Sequence, residues 1–136
     1  MFDGSLDELL PLMLKEAEDI SNDSPDKALE RGYDFWGVSE LAGKMGNKEL
    51  KKEFSLRSKE YRPIWLQKFK DIGPTSDIMH GDGLYEGTIW QYRWFVPHDF
   101  DWVIATLGSK KKVLSELDYF FENNLFNMGN QPDIHV

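Results

Sequence analysis

The chain has no cysteine and only three histidines in 136 residues. Without cysteine there are no disulfides, no thiolate zinc sites and no thiol nucleophile, and the redox compartment is left open. His80 and His135 lie far apart and match no metal-ligand spacing, which removes a histidine-built zinc site. Basic residues are scarce too: 16 Lys and Arg stand against 24 Asp and Glu, a formal net charge of −8. Such a surface repels a phosphate backbone on average, so no nucleic-acid partner is expected. The longest basic run, residues 110–112, reads as a solvated helix start. No apolar run approaches the roughly 20 residues of a membrane span, and the acidic N-terminus lacks a signal-peptide pattern. No membrane partner is expected, and localisation stays open. No segment alternates as a strand does, and there is no short repeat or low-complexity tract.

What the chain has in quantity is aromatic rings, five Trp and nine Phe among them. They suffice for a core, and flat apolar rings also suit an interface or a sugar-binding surface. The length fits a single helical domain over residues 1–136. Residues 6–20 set Leu6, Leu9, Leu10, Met13, Leu14 and Ala17 on one helical face, with Pro11 as a kink or a late start. Ser24, Pro25 and Asp26 form a strong helix start, followed by Leu29, Tyr33, Trp36, Leu41 and Met45 at helical spacing. Gly46 is a natural stop and Asn47 a cap for the next helix. There Leu50, Phe54, Tyr61, Trp65 and Phe69 recur about every four residues, with Pro63 bending the last turns. So short a link predicts an antiparallel hairpin.

Periodicity fails over residues 71–85, an irregular loop marked by Gly73-Pro74, Asp77, Gly81 and Gly83. Its Gly81-x-Gly83 follows no strand and is not a phosphate loop. Residues 86–95 fit a helix stopped by Pro97. Asp99 can cap a short helix that Gly108 ends, and Ser109 another with Val113, Leu114, Leu117, Phe120 and Phe121 inward. Residues 123–136 read as loop. The fold class is all-α, built of antiparallel helical hairpins.

The densest polar and aromatic stretch is residues 85–99. On a helix, Glu86, Trp90 and Arg93 would share a face. A carboxyl group packed on aromatic rings is poorly solvated, holds its proton to higher pH, and can then act as a general acid. A Trp beside it can stack on a sugar while Gln or Arg reads hydroxyls. The plain alternative is a helix-start acid with rings in the core. His98 and Asp99 are adjacent and do not face each other on a helix, so a turn residue and a helix cap explain them equally well.

The run Glu86-Gly-x-x-Trp90-Gln91-Tyr92-x-Trp94-Phe95-Val96-Pro97-His98-Asp99, followed later by Gly129-Asn130-x-Pro132, resembles the signature region of glycoside hydrolase family 92, the calcium-dependent α-mannosidases. Upstream, Ser24-x-x-Lys27-x-Leu29-Glu30-x-x-Tyr33-Asp34-x-Trp36 is similar to the family's helix before a Gly-rich turn. The resemblance implies part of an (α/α)6 toroid in an inverting exo-acting enzyme that removes α-linked mannose from glycans. It maps the general acid onto Glu86 and substrate contacts onto Trp90, Gln91, His98 and Asp99. It maps the leaving-sugar subsite onto Asn130 and Gln131. Calcium is the implied cofactor, with no ligand assigned to a position on this chain. Thr88 replaces the family's usual Asn, Gln131 its usual Glu, and Asp133-Ile134-His135 a Ser-His-His-like run. The family's general-base aspartates lie downstream of this region, and its N-terminal β-sandwich is not part of this chain. The implied partners are a mannose-containing glycan, the remainder of the catalytic domain and that sandwich. Family members are often secreted or periplasmic. The resemblance therefore implies a fragment inactive by itself. The alternative is a non-catalytic helical module that binds carbohydrate or protein.

Overall fold

The computed structural model describes residues 5–76, 83–127 and 129. Among them every regular element is helical and no strand occurs, as the periodicity predicts. The helices are α1 (Leu6–Asp19), α2 (Pro25–Lys44), α3 (Lys48–Arg57), α4 (Arg62–Lys68), α5 (Ile89–Tyr92), α6 (Phe100–Leu107) and α7 (Lys110–Glu122), with a 3-10 turn at Pro97–Asp99. The chain divides into two compact units, Met1–Arg62 and Pro63–Val136.

In the first unit the α2–α3 hairpin is written into a few residues. Gly46 takes φ +78°, a conformation in which a side chain would be strained. That left-handed turn lets Gly46 N–H reach the Gly43 carbonyl at 3.1 Å and Asn47 N–H the Ala42 carbonyl at 2.9 Å. The pair satisfies carbonyls that the end of α2 would otherwise leave open. The Asn47 side chain then accepts from Leu50 N–H at 3.1 Å and opens α3. The helices run antiparallel: Gly43 lies against Lys51, Phe35 against Phe54, and Gly32 against Ser58. A Cβ on Gly32 would stand 2.9 Å from the Tyr61 ring and 3.2 Å from the Ser58 carbonyl, so close packing requires glycine there. Leu10, Ala17, Phe35, Val38, Leu41 and Phe54 form the core, with α1 closing one side. Arg57 lies over the Phe35 ring and pairs with Glu18 of α1 at 3.0 Å.

Two sequence expectations change in this unit. Ser24 does precede α2, but its hydroxyl donates to the Asp26 carboxylate instead of capping the backbone. The long helix expected after Asn47 is two helices. A continuous helix would need an N–H at Pro63 for the Lys59 carbonyl, and proline has none. Arg62 N–H takes that carbonyl at 3.1 Å, the turn tightens over residues 58–61, and α4 restarts with Pro63 in its first turn. Tyr33 and Trp36, expected inward, are half-buried and stack on each other, with ring centroids 5.5 Å apart.

The second unit gathers α4, α5, α6 and α7. Gly108, at φ +104°, turns α6 towards α7, and Ser109 Oγ accepts from Lys112 N–H at 3.2 Å to start α7. Trp65, Phe69, Trp94, Val103, Val113 and Phe120 are buried. Leu114 and Phe121, expected inward, are 61% and 48% exposed, so the apolar stripe of α7 is wider than the core it faces. Residues 71–76 and 83–88 carry no helix, consistent with the irregular loop, while Asp77, His80 and Gly81 lie outside the described residues.

Along α2, Asp26, Glu30 and Asp34 stand one turn apart. Burial raises the Asp34 carboxyl above its ordinary 3.8, and Glu16 of α1 adds to the rise. Glu30 is raised by burial first and then by Asp26 and Asp34.

Gly46→Ala should destabilise the chain by about 1–2 kcal/mol in urea denaturation, the strain of a left-handed alanine. The space around Gly46 is open, so the loss reports backbone strain alone. Asp34 supplies a pH test. Its folded carboxyl binds its proton more tightly than the unfolded one, so ionising it opposes folding. That penalty is absent below about pH 3.8 and complete above the raised folded value. Asp34→Asn should therefore raise Tm at pH 7, and the gain should shrink as pH falls towards 4.

Candidate active site

The site is built around Glu86, and its surroundings depart from the helix that the sequence implies. Helix α5 is a single turn. Thr88 is its cap: Thr88 N–H donates to Gln91 Oε1 at 2.8 Å, and Gln91 N–H donates back to Thr88 Oγ1 at 3.4 Å. This reciprocal box sets the cap two residues after Glu86 and the helix one residue further on. Glu86 is thus neither on a helical face with Trp90 and Arg93 nor a helix-start acid. It sits in the preceding turn with φ +55°, one of two described non-glycine residues at positive φ. Its side chain is exposed, so the desolvation invoked from the sequence does not come from the described residues.

A left-handed backbone at a residue other than glycine costs about 1–2 kcal/mol. It persists only when the flanks over-determine it. Both flanks are tied here. The Tyr92 hydroxyl donates to the Tyr85 carbonyl at 2.5 Å, and the Thr88–Gln91 box fixes the other side. Glu86 is held between the two.

The anchor residues are themselves fixed by the second unit's core. Trp65 Nε1 donates to the Arg93 carbonyl at 3.0 Å. The Arg93 side chain is 1% exposed, and its Nη2 donates to Glu116 Oε2 of α7 at 2.5 Å and to the Lys70 carbonyl at 3.2 Å. Burial lowers the guanidinium below its ordinary range, while Glu116 and then Asp71 oppose that shift. Arg93 is therefore engaged in the interior and not poised to read sugar hydroxyls. Trp90 lies against Tyr119, with ring centroids 5.3 Å apart.

The other sequence-derived site residues are distributed unevenly. Trp90 is 3% exposed and Gln91 1%, and the oxygen of Gln91 is taken by the helix cap. Trp94 is 2% exposed, so neither it nor Trp90 offers an open ring for stacking. His98 and Asp99 are half-buried in the 3-10 turn that leads into α6. Asn130 and Gln131 lie outside the described residues. Calcium requires several oxygen donors converging on one point. Among the described residues no three His, Asp or Glu side chains do so. No helix among them is long and apolar enough to cross a membrane.

Sequence reasoning missed Tyr92 as the tether of Tyr85, and Glu116 as the partner of Arg93. A charge at position 93 inside the run Trp90 to Val96 was a usable signal, because a buried cation needs a counter-charge. Nothing in the sequence marked Glu116 as that partner.

The sequence profile of the glycosyl hydrolase family 92 catalytic domain matches residues 10–136. An uncharacterized secreted glycosidase of Arthroderma benhamiae is 42% identical over 48 residues, which span 35% of this chain and 6% of that protein. Among solved structures, the family 92 glycosyl hydrolase ccman5 aligns with a TM-score of 0.77 at 21% identity. That alignment covers 97% of this chain and 22% of the other, and it shows a shared fold.

Strain at position 86 is directly measurable. Glu86→Gly should leave the chain at least as stable as the wild type in urea, because glycine takes φ +55° freely. Glu86→Val should lose about 1–2 kcal/mol, since a β-branched residue tolerates that backbone worst.

Proposed function

The chain belongs to glycosyl hydrolase family 92, and on that membership we propose that it is a segment of the catalytic domain of an inverting α-mannosidase, with Glu86 as the general acid. The observation that carries this reading is the exposed Glu86 carboxylate on a left-handed turn tethered on both sides. A group that must deliver a proton to one oxygen needs its position fixed before substrate arrives. Here backbone tethers supply that fixity at a measurable expense in strain. Exposure in this chain agrees with the role, because a glycan must reach the carboxyl.

In an inverting glycosidase one carboxylic acid protonates the departing oxygen while a second carboxylate activates water across the ring, roughly 6.5–9.5 Å away. Glu86 has the first role. The second belongs to a residue of the parent enzyme outside this chain. Trp90 and Gln91 serve the sugar through the turn they brace. His98 and Asp99, in the 3-10 turn, would contact the sugar, and Asn130 with Gln131 would shape the leaving-sugar subsite. The substrate is a mannose-containing glycan, and the protein partners are the remainder of an (α/α)6 toroid and an N-terminal β-sandwich. Calcium would polarise and distort the sugar when bound. The match to only 22% of a solved family member's chain supports reading this chain as one segment of a larger catalytic body. A self-sufficient carbohydrate-binding module is disfavoured by the burial of Trp90 and Trp94.

In the parent enzyme, Glu86→Gln should lower turnover by about 10²–10⁴ on mannosides with poor leaving groups. Activated aryl mannosides, whose leaving groups need no proton, should lose far less. Equal losses on both substrate types would show that Glu86 is not the proton donor.

A further inference from the structure

Helix α1 has an apolar stripe wider than the core it faces. Leu10 and Ala17 enter the core of the first unit, and Leu9 and Met13 pack partly buried against it. Leu12 extends the stripe into solvent, with the exposed Glu16 one turn on. With Tyr33, Asp34, Trp36 and Gly37 of α2 this stripe lines an open groove of about 380 Å³. Leu12 is 57% exposed in it, and Tyr33 and Trp36 are half-buried. An apolar stripe that runs past the core it faces leaves surface for a further element to cover. Two parallel apolar stripes at helical spacing are the bed into which a third helix fits.

The floor of the groove is apolar, and its charges are of one sign. Glu16 of α1 and Asp34 of α2 are its only ionisable lining apart from the Tyr33 phenol. Burial first, and the Glu16 charge second, raise the Asp34 carboxyl, so ionising it opposes folding of this chain. A cation seated between the two would reverse that sign.

We propose that the groove between α1 and α2 receives a helix from the remainder of the glycosidase domain, carrying an apolar face and a Lys or Arg that lies between Glu16 and Asp34. The source rests on the family reading above, because 78% of the solved relative's chain lies outside the match, the complement of the 22% covered. A second copy of this chain fits worse. A two-fold contact would set Glu16 and Asp34 against their own images, in a chain of net charge −8.

The first test uses the intact 136-residue chain and two synthetic amphipathic helical peptides, identical in their leucine face but carrying lysine in one and glutamate in the other. Calorimetric titration should show micromolar binding of the lysine peptide and binding at least tenfold weaker for the glutamate peptide. Leu12→Gln, Glu16→Gln and Asp34→Asn should each weaken the lysine peptide several-fold. Glu122→Gln, at an exposed acid of α7, should not. Equal binding of the two peptides, or an equal effect of Glu122→Gln, overturns the proposal by reducing it to general charge attraction. A dimer in sedimentation that Leu12→Gln dissolves overturns it in favour of a second copy. The second test fixes the source. Asp34→Asn should raise the Tm of the chain alone but lower that of the longer glycosidase by several degrees, because there it removes the partner of a docked cation. A rise in both proteins overturns the assignment to that domain. Neither readout uses turnover, so failure of the general-acid assignment to Glu86 is seen separately.

Discussion

A guanidinium keeps its charge under almost any condition a protein meets, and taking it out of water demands partners in fixed positions. Arg93 imposes that demand on the second unit. Its Nη2 binds the Glu116 carboxylate of α7 and the carbonyl of Lys70 just beyond α4, while its own carbonyl accepts from the Trp65 indole. Two stretches distant in sequence, residues 65–70 and α7, are brought to one residue. Removing one partner of such a pair leaves a buried charge without compensation, which costs about 3–5 kcal/mol where it has been measured. The turn that carries Glu86 is attached to this point through the single helical turn between Thr88 and Arg93. The candidate acid is positioned from behind, by charge and backbone bonds in the interior.

Two features of the chain oppose its own stability. Glu86 adopts a backbone that glycine would take more readily. Asp34 is a half-buried carboxylate with another acid close by. Sequences that satisfy local rules nearly everywhere tend to break them where function or a partner requires it. The two exceptions here have different characters. Strain at Glu86 is internal and braced by neighbours in the same chain. Nothing in the first unit's described residues braces Asp34 the way the neighbours of Glu86 brace its turn, and burial and Glu16 both raise its carboxyl.

Much of the fold could be read from single residues because the determining interactions are local. Ser24-Pro25 marks the start of α2, Gly46-Asn47 its end and the start of α3, and Gly108-Ser109 the corner into α7. At Gly46-Asn47 and Gly108-Ser109 the signal works through hydrogen bonds to residues three to five positions away. The break at residues 58–61 was harder, since a helical repeat of aromatics continues through it and only the missing N–H of Pro63 interrupts the ladder. The candidate site was half legible. A carboxylate beside a dense aromatic run drew notice to Glu86, but the capping box between Thr88 and Gln91 competes with a longer helix and won. The burial of Trp90 and Trp94 and the pairing of Arg93 with Glu116 depend on contacts far along the chain, which periodicity does not encode. The tail residues Asn130 and Gln131 entered only through family likeness.

The corner at Gly46-Asn47 has a consequence for how the chain reaches its structure. Every bond that stops α2 and starts α3 closes a loop of only a few residues, between positions 42 and 50. Contacts of such short range form before distant ones, because little chain entropy is lost in making them. The helical hairpin of the first unit can therefore assemble on its own timescale, ahead of the pairing of Arg93 with Glu116. During synthesis it emerges first as well, and gives the growing polypeptide a finished piece while the segment bearing Glu86 is still being added.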